Sequence, residues 1–130
     1  MPPTSQRPLS PHLTVYKWGP HMLVSILHRI TGVGLSIVGG LVLVWWLLAA
    51  SGGAESYGAF LRAATSVPGL IVLIGLSWAM FQHLLSGIRH FVLDIGAGFE
   101  LGTNKRGALA TLVGSVLLTV LLWVYILGVR

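Results

Sequence analysis

Three apolar runs decide what this 130-residue chain can become. They extend from Met22 to Ala50, Val67 to Leu93 and Ala108 to Val129. Each exceeds the roughly 20 residues that an α-helix needs to cross about 30 Å of hydrocarbon. Composition agrees: 55% of residues are hydrophobic and 8% charged, against about 25% charged in a soluble domain. A water-soluble helical bundle would need polar outer faces, yet the third run carries no charged residue between Ala108 and Gly128. The expectation is an all-α membrane protein. Three transmembrane helices at about 22–50, 67–94 and 107–129 form one anchor domain, 22–130, behind a short N-terminal arm, 1–21.

The punctuation supports these limits. Gly19-Pro20 precedes the first run and Ser51-Gly52-Gly53 follows it. Ser66 is placed to cap the second helix with Pro68 in its first turn, and Thr103-Asn104 offer caps before the third. Lysine and arginine set the orientation. Arg7, Lys17, Arg29, Arg89, Lys105 and Arg106 fall on one side and only Arg62 and Arg130 on the other. The arm and the second loop are therefore expected in the cytoplasm, with the C-terminus periplasmic. Met1 to Pro20 shows neither the apolar stretch of a signal peptide nor an Arg- and Ser-rich transit sequence, so a bacterial inner membrane is expected. The net charge of +5 suits a lipid surface, and no basic stripe interleaved with aromatics points to nucleic acid. Cysteine is absent, which excludes disulfides, thiolate-bound iron–sulfur clusters and covalently attached haem.

Titratable groups inside a membrane helix are costly, about 2.5–3.5 kcal/mol at the centre on insertion scales. Here they fall in the first two runs, towards the cytoplasmic side. Ser25, His28, Arg29 and Gly32 lie at i, i+3, i+4 and i+7, and so share a helical face. His83, Gly87, His90 and Asp94 share another, at i, i+4, i+7 and i+11. Gly32, Ser36 and Gly40 extend the first stripe with small residues that admit a close helix neighbour. Two such stripes at one depth describe a pocket and not a pore.

Imidazole is a good iron ligand, guanidinium pairs with a propionate carboxylate, and Gly87 removes a side chain where a flat macrocycle would approach. Without cysteine such a haem is b-type. By helical rise, His83 lies about 16–17 Å from Asp94, and His28 about 9 Å from Met22. That difference argues against one iron shared by His28 and His83. It leaves His28 with His90, or a ligand from another chain. Plainer readings stand beside these. A lone histidine such as His83 can be structural, and Arg29 and Arg89 can snorkel to headgroups. His90 can pair locally with Asp94, and Trp45, Trp46 and Trp123 read as interface anchors. His12 and His21 carry no specific signal.

Two segments narrow the choice. Arg7-Pro8-Leu9-Ser10-Pro11-His12-Leu13-Thr14-Val15-Tyr16-Lys17, followed by Ser25-Ile26-Leu27-His28-Arg29-Ile30-Thr31-Gly32, resembles the N-terminal signature of the cytochrome b560 family. These are the haem-b membrane anchors of succinate dehydrogenase. His83-Leu84-Leu85-Ser86-Gly87-Ile88-Arg89-His90-Phe91-Val92-Leu93-Asp94 is similar to the family's second signature, H-x-x-x-G-x-R-H-x-x-x-D. Departures are mild: Leu93 stands where an aromatic is common, and Phe91 where leucine is.

The resemblance implies that His83 is an axial haem ligand, with the other supplied by a second three-helix anchor subunit. It implies that Ser25 and Arg29 line a ubiquinone site, and that His28 and Arg29 lie by the haem propionates. Arg89, His90 and Asp94 match motif positions without an assigned role. The chain would be no enzyme alone. It would be the anchor through which electrons from succinate pass, by way of flavoprotein and iron–sulfur subunits, to ubiquinone. The alternatives are a cofactor-free tether and a proton- or ion-conducting subunit built on its histidines.

Overall fold

A computed structural model describes His12 and residues 17–129. Most of the expected arm therefore lies outside the described residues, as do Arg7 and Arg130. The described residues form four helices in order: α1 (Pro20–Ser51), α2 (Gly53–Ala64), α3 (Val67–Asp94) and α4 (Leu101–Gly128). The three long ones are apolar enough to cross a membrane. They run up, down and up, and each packs on the other two.

Local chemistry explains the boundaries. Pro20 starts α1, where a missing N–H costs nothing. The Ser66 hydroxyl accepts the Gly69 N–H at 3.3 Å and caps α3, as its position predicts. At the other end of α3, Gly96 adopts φ 84°. The Gly96 N–H bonds the Leu93 carbonyl at 2.9 Å and the Ala97 N–H bonds the Val92 carbonyl at 3.2 Å, closing the helix in a Schellman motif.

Three differences from the sequence expectations have physical causes. The third long helix starts at Leu101, ahead of the expected 107, so Thr103 and Asn104 lie inside it and do not cap it. At 28 residues it is about 42 Å long by its rise, well over the hydrocarbon thickness. A polar first turn can therefore remain helical outside the apolar run. The segment between α1 and α3 is itself the short helix α2. Tyr57, Phe60, Leu61 and Ala64 share its apolar face, with Glu55 in the first turn and Arg62 in the last, as the macrodipole favours. Phe60 meets Trp45 of α1 edge-on at 5.1 Å. Finally, α1 contains a π-helical turn at Leu35–Gly39. That wider turn breaks the phase of the Gly32, Ser36, Gly40 stripe. A Cβ on Gly32 would lie 3.0 Å from His83, whereas one on Gly40 would meet nothing within 4 Å.

Inside and outside are reversed relative to a soluble bundle. The buried apolar residues are Val24, Ala49 and Ala108, while Thr31, Gln82, Ser86, Thr111, Ser115 and Thr119 are buried polar ones. Large side chains such as Leu41, Val67, Leu121 and Val124 face outward. Lipid is as apolar as leucine, so burying leucine gains little and small hydroxyl residues take the interior. Between α3 and α4, the Ser115 hydroxyl reaches Gln82 Oε1 at 2.8 Å and the Leu112 carbonyl at 2.9 Å. The Trp123 indole N–H donates to Ser77 at 3.3 Å, tying a residue expected at the lipid interface back to the bundle. The Gln82 Nε2 is buried without a hydrogen-bond partner among the described residues.

Two predictions follow from this packing. Gly69→Ala would drive a methyl into the Ala63 carbonyl oxygen and to 2.8 Å from that of Ala64, where a Cβ on Gly75 meets nothing. Unfolding in graded denaturing detergent should show a loss of about 1–3 kcal/mol for Gly69→Ala and none for Gly75→Ala. In the same assay Ser115→Ala, which strands Gln82 Oε1, should cost about 1 kcal/mol. Gln82→Leu should cost nothing or stabilise, because it removes a half-satisfied amide while Ser115 keeps its backbone acceptor.

Candidate functional site

The polar stripes of α1 and α3 meet. His28 and His83 stack face to face, with ring centroids 4.0 Å apart and planes 8° from parallel. His90 presents its edge to His28 at 5.0 Å and 61°. The depth difference expected between His28 and His83 is thus absent. Helices of 28 to 32 residues overhang the hydrocarbon by different amounts, so distance from a helix end does not measure depth. Face-to-face contact nevertheless leaves no gap for an iron and its macrocycle between those two rings. The edge contact of His28 with His90 leaves none either.

Hydrogen bonds fix the orientation of both stacked rings. The His83 Nδ1–H donates to the His28 carbonyl at 3.1 Å, with Thr31 Oγ1 3.3 Å away. Thr31 spends its own proton on the Leu27 carbonyl at 2.7 Å. His83 therefore carries its proton on Nδ1 and keeps the Nε2 lone pair, the form in which histidine binds a metal while its second nitrogen holds a backbone carbonyl. On His28, Nδ1 lies 2.7 Å from Ser86 Oγ. Gly32 makes the contact between helices close, since a Cβ there would press on the His83 ring at 3.0 Å.

Beside the stack is a hollow of about 490 Å³ lined by Ser25, His28, Arg29, Gly87, His90, Phe91 and Asp94. Every α3 stripe residue except His83 borders it. Gly87 faces His28, and a Cβ there would reach His28 only at an ordinary 3.7 Å. The missing side chain thus enlarges the hollow without being demanded by helix contact. Among the described residues no hydrogen bond joins His90 to Asp94, so the local pair expected of them does not form. A second hollow, of about 390 Å³, is lined by His21, Met22, Ser25, Ile26, Arg29, Arg89, Leu93 and Asn104. Ser25 and Arg29 border both hollows, and their side chains make no hydrogen bond or ion pair among the described residues. Arg89 turns away from His90 and donates from Nη2 to Asn104 Oδ1, tying α3 to the first turns of α4.

These residues suit a haem in kind. One imidazole has a held tautomer and a free ring nitrogen, a cation has no carboxylate partner among the described residues, and a glycine opens the wall one turn from that imidazole. Sequence reasoning missed Thr31, Ser86, Gln82 and His21. The first three are uncharged and gave no cost signal, though a hydroxyl at i+3 from His83 on the stripe side could have marked Ser86.

Comparison with known proteins gives a concordant picture. The family model described as succinate dehydrogenase/fumarate reductase transmembrane subunit matches residues 3–122. The chain is 43% identical over 120 residues to the succinate dehydrogenase cytochrome b556 subunit of Rickettsia conorii, covering 92% of this chain and 93% of that one. It is 45% identical over 119 residues to the Paracoccus denitrificans subunit of that name, covering 88% of each. The mitochondrial succinate dehydrogenase cytochrome b560 subunit of Mus musculus is 38% identical over 117 residues, covering 88% of this chain and 68% of the mouse protein.

Proposed function

The chain belongs to the succinate dehydrogenase/fumarate reductase transmembrane-subunit family, and we propose that it is the haem-b anchor of a succinate:ubiquinone oxidoreductase. The observation that carries this reading is the His83 Nδ1–H bond to the His28 carbonyl, which leaves Nε2 as the ligand atom. His83 would hold the iron together with a residue of a second hydrophobic anchor subunit, since the His28 ring lies directly against that of His83 and leaves no room for an iron between them. Flavoprotein and iron–sulfur subunits complete the assembly. When bound, the haem supplies a one-electron redox centre.

The chain's own groups divide the work. Gly87 leaves room beside the stack. His28 and Arg29 offer a hydrogen bond and a charge to the propionates. Ser25 donates to a ubiquinone oxygen, and Arg29 stabilises negative charge developing there as electrons arrive from the iron–sulfur subunit. Because Arg29 borders both hollows, one guanidinium serves a carboxylate in one and the quinone in the other. The excess of Lys17, Arg29, Arg89, Lys105 and Arg106 at this end of the bundle supports a cytoplasmic orientation there, in a bacterial inner membrane. A histidine proton relay is less well supported. His28 and His83 meet through ring faces while their Nδ1 atoms are engaged with Ser86 and a carbonyl, so no nitrogen-to-nitrogen chain joins them.

Reduced-minus-oxidised spectra of the purified complex test the ligand. His83→Ala should lose the b-type signal and His90→Ala should keep it; the reverse pattern refutes the assignment. For the quinone, Ser25→Ala and Arg29→Ala should each slow ubiquinone reduction by roughly tenfold or more. Transfer to an artificial acceptor at the soluble subunits should be unchanged. Normal ubiquinone turnover in both variants would remove these residues from the site.

A further inference from the structure

Ser86 is fully buried, one turn from His83 on the inner side of α3. A serine hydroxyl has a single proton. The Gln82 carbonyl lies 2.6 Å away, with the His83 carbonyl at 3.1 Å also within reach. With the proton on the Gln82 carbonyl, the oxygen meets His28 Nδ1, 2.7 Å away, as an acceptor. This bond holds the plane of the His28 ring. The torsion that turns an imidazole about its Cβ–Cγ bond is broad, so packing alone sets that plane weakly.

His28 in turn holds His83 at two places. Its ring covers one face of the His83 ring at 4.0 Å, and its carbonyl accepts the His83 Nδ1–H at 3.1 Å. Gly32 and Thr31 also bear on the ring, one by the absence of a Cβ and the other with Oγ1 3.3 Å from Nδ1, while Nε2 stays free. We propose that Ser86 is a positioning residue for the haem, acting through His28: its oxygen holds the His28 ring, and the His28 ring sets the plane in which His83 meets the iron. The inference rests on His83 being the axial ligand. The plane of an axial imidazole governs the splitting of the iron d orbitals in a low-spin haem, and its hydrogen bonding governs ligand basicity. Both are spectroscopic and electrochemical observables, separate from turnover.

The test uses the whole complex, reading haem content, the EPR signal of the oxidised haem and its midpoint potential. Ser86→Ala should retain the haem but shift the EPR signal and the potential. Ser86→Cys, nearly the same volume but a poor acceptor, should shift both in the same direction; a normal Cys variant beside a shifted Ala variant would mean packing and overturn the proposal. His28→Phe keeps a ring and deletes the donor. Adding Ser86→Ala to it should shift nothing further, because the two residues act as one unit. Full additivity, or unchanged signals in both Ser86 variants, would also overturn it. His83→Ala separates the premise from the inference. Haem retained there refutes the ligand, whereas haem lost there with Ser86 variants unmoved refutes only the positioning role.

Discussion

Hydrocarbon offers no hydrogen-bond partner, and the interior of this bundle is arranged around that fact. Hydroxyl side chains on the long helices turn back to their own backbone. Thr31 donates to Leu27, Ser77 to Leu73, Ser86 to Gln82 and Thr119 to Ser115, each to the carbonyl one turn earlier. Having spent its only proton there, such a hydroxyl faces sideways as an acceptor. The neighbouring helix brings a nitrogen to it: His83 Nδ1 lies 3.3 Å from Thr31 Oγ1, His28 Nδ1 2.7 Å from Ser86 Oγ, and the Trp123 indole N–H donates to Ser77. Each of these hydroxyls thus couples one helix's backbone to another helix's side chain. Counting protons sets the direction wherever one partner is a carbonyl, which can only accept.

The orientation of the histidines follows from the same arithmetic. Two imidazoles in an apolar setting could each hold their proton on either nitrogen. The His28 carbonyl can only accept, so His83 is protonated on Nδ1, and His28 takes the same form when the Ser86 proton stays on the Gln82 carbonyl. The stack then presents two rings of defined polarity. Gly32 lets α1 lie directly against the His83 ring.

Much of this was legible in the residues, for reasons that can be located. The spans were visible because crossing lipid demands length and uniform apolarity, which no interior packing can disguise. The Ser66 cap followed from a serine two residues ahead of Pro68, and the two stripes from helical periodicity. Helix α2 was hidden because twelve residues of mixed character cannot register as a span, although Tyr57, Phe60, Leu61 and Ala64 keep helical spacing. The depth comparison of His28 with His83 failed because it took helix ends for membrane surfaces. The broken glycine stripe had no sequence signature, since a π-turn is a property of backbone register. Ser86 went unmarked because an uncharged hydroxyl in lipid carries no large penalty that asks for explanation.

The two stripe glycines bring the packing and the proposed chemistry together, because they act in opposite senses. Gly32 of α1 is filled by its neighbour: the His83 ring occupies the place of the missing side chain. Gly87 of α3 is not filled, and the hollow beside it is bordered by Ser25, Arg29 and Asp94. Within one helical turn, therefore, the α1–α3 contact changes from closed to open. An axial ligand needs the closed part, where a hydrogen bond and a stacked ring hold its orientation. A macrocycle and a quinone need the open part, with polar groups still uncommitted. Ser25 and Arg29 meet that requirement, since their side chains bond to nothing among the described residues, while those of His83, His28 and Ser86 are all engaged. The division between engaged and uncommitted groups thus coincides with the division between positioning and binding. One side chain absent from each of two facing helices, at Gly32 and at Gly87, is enough to draw that boundary.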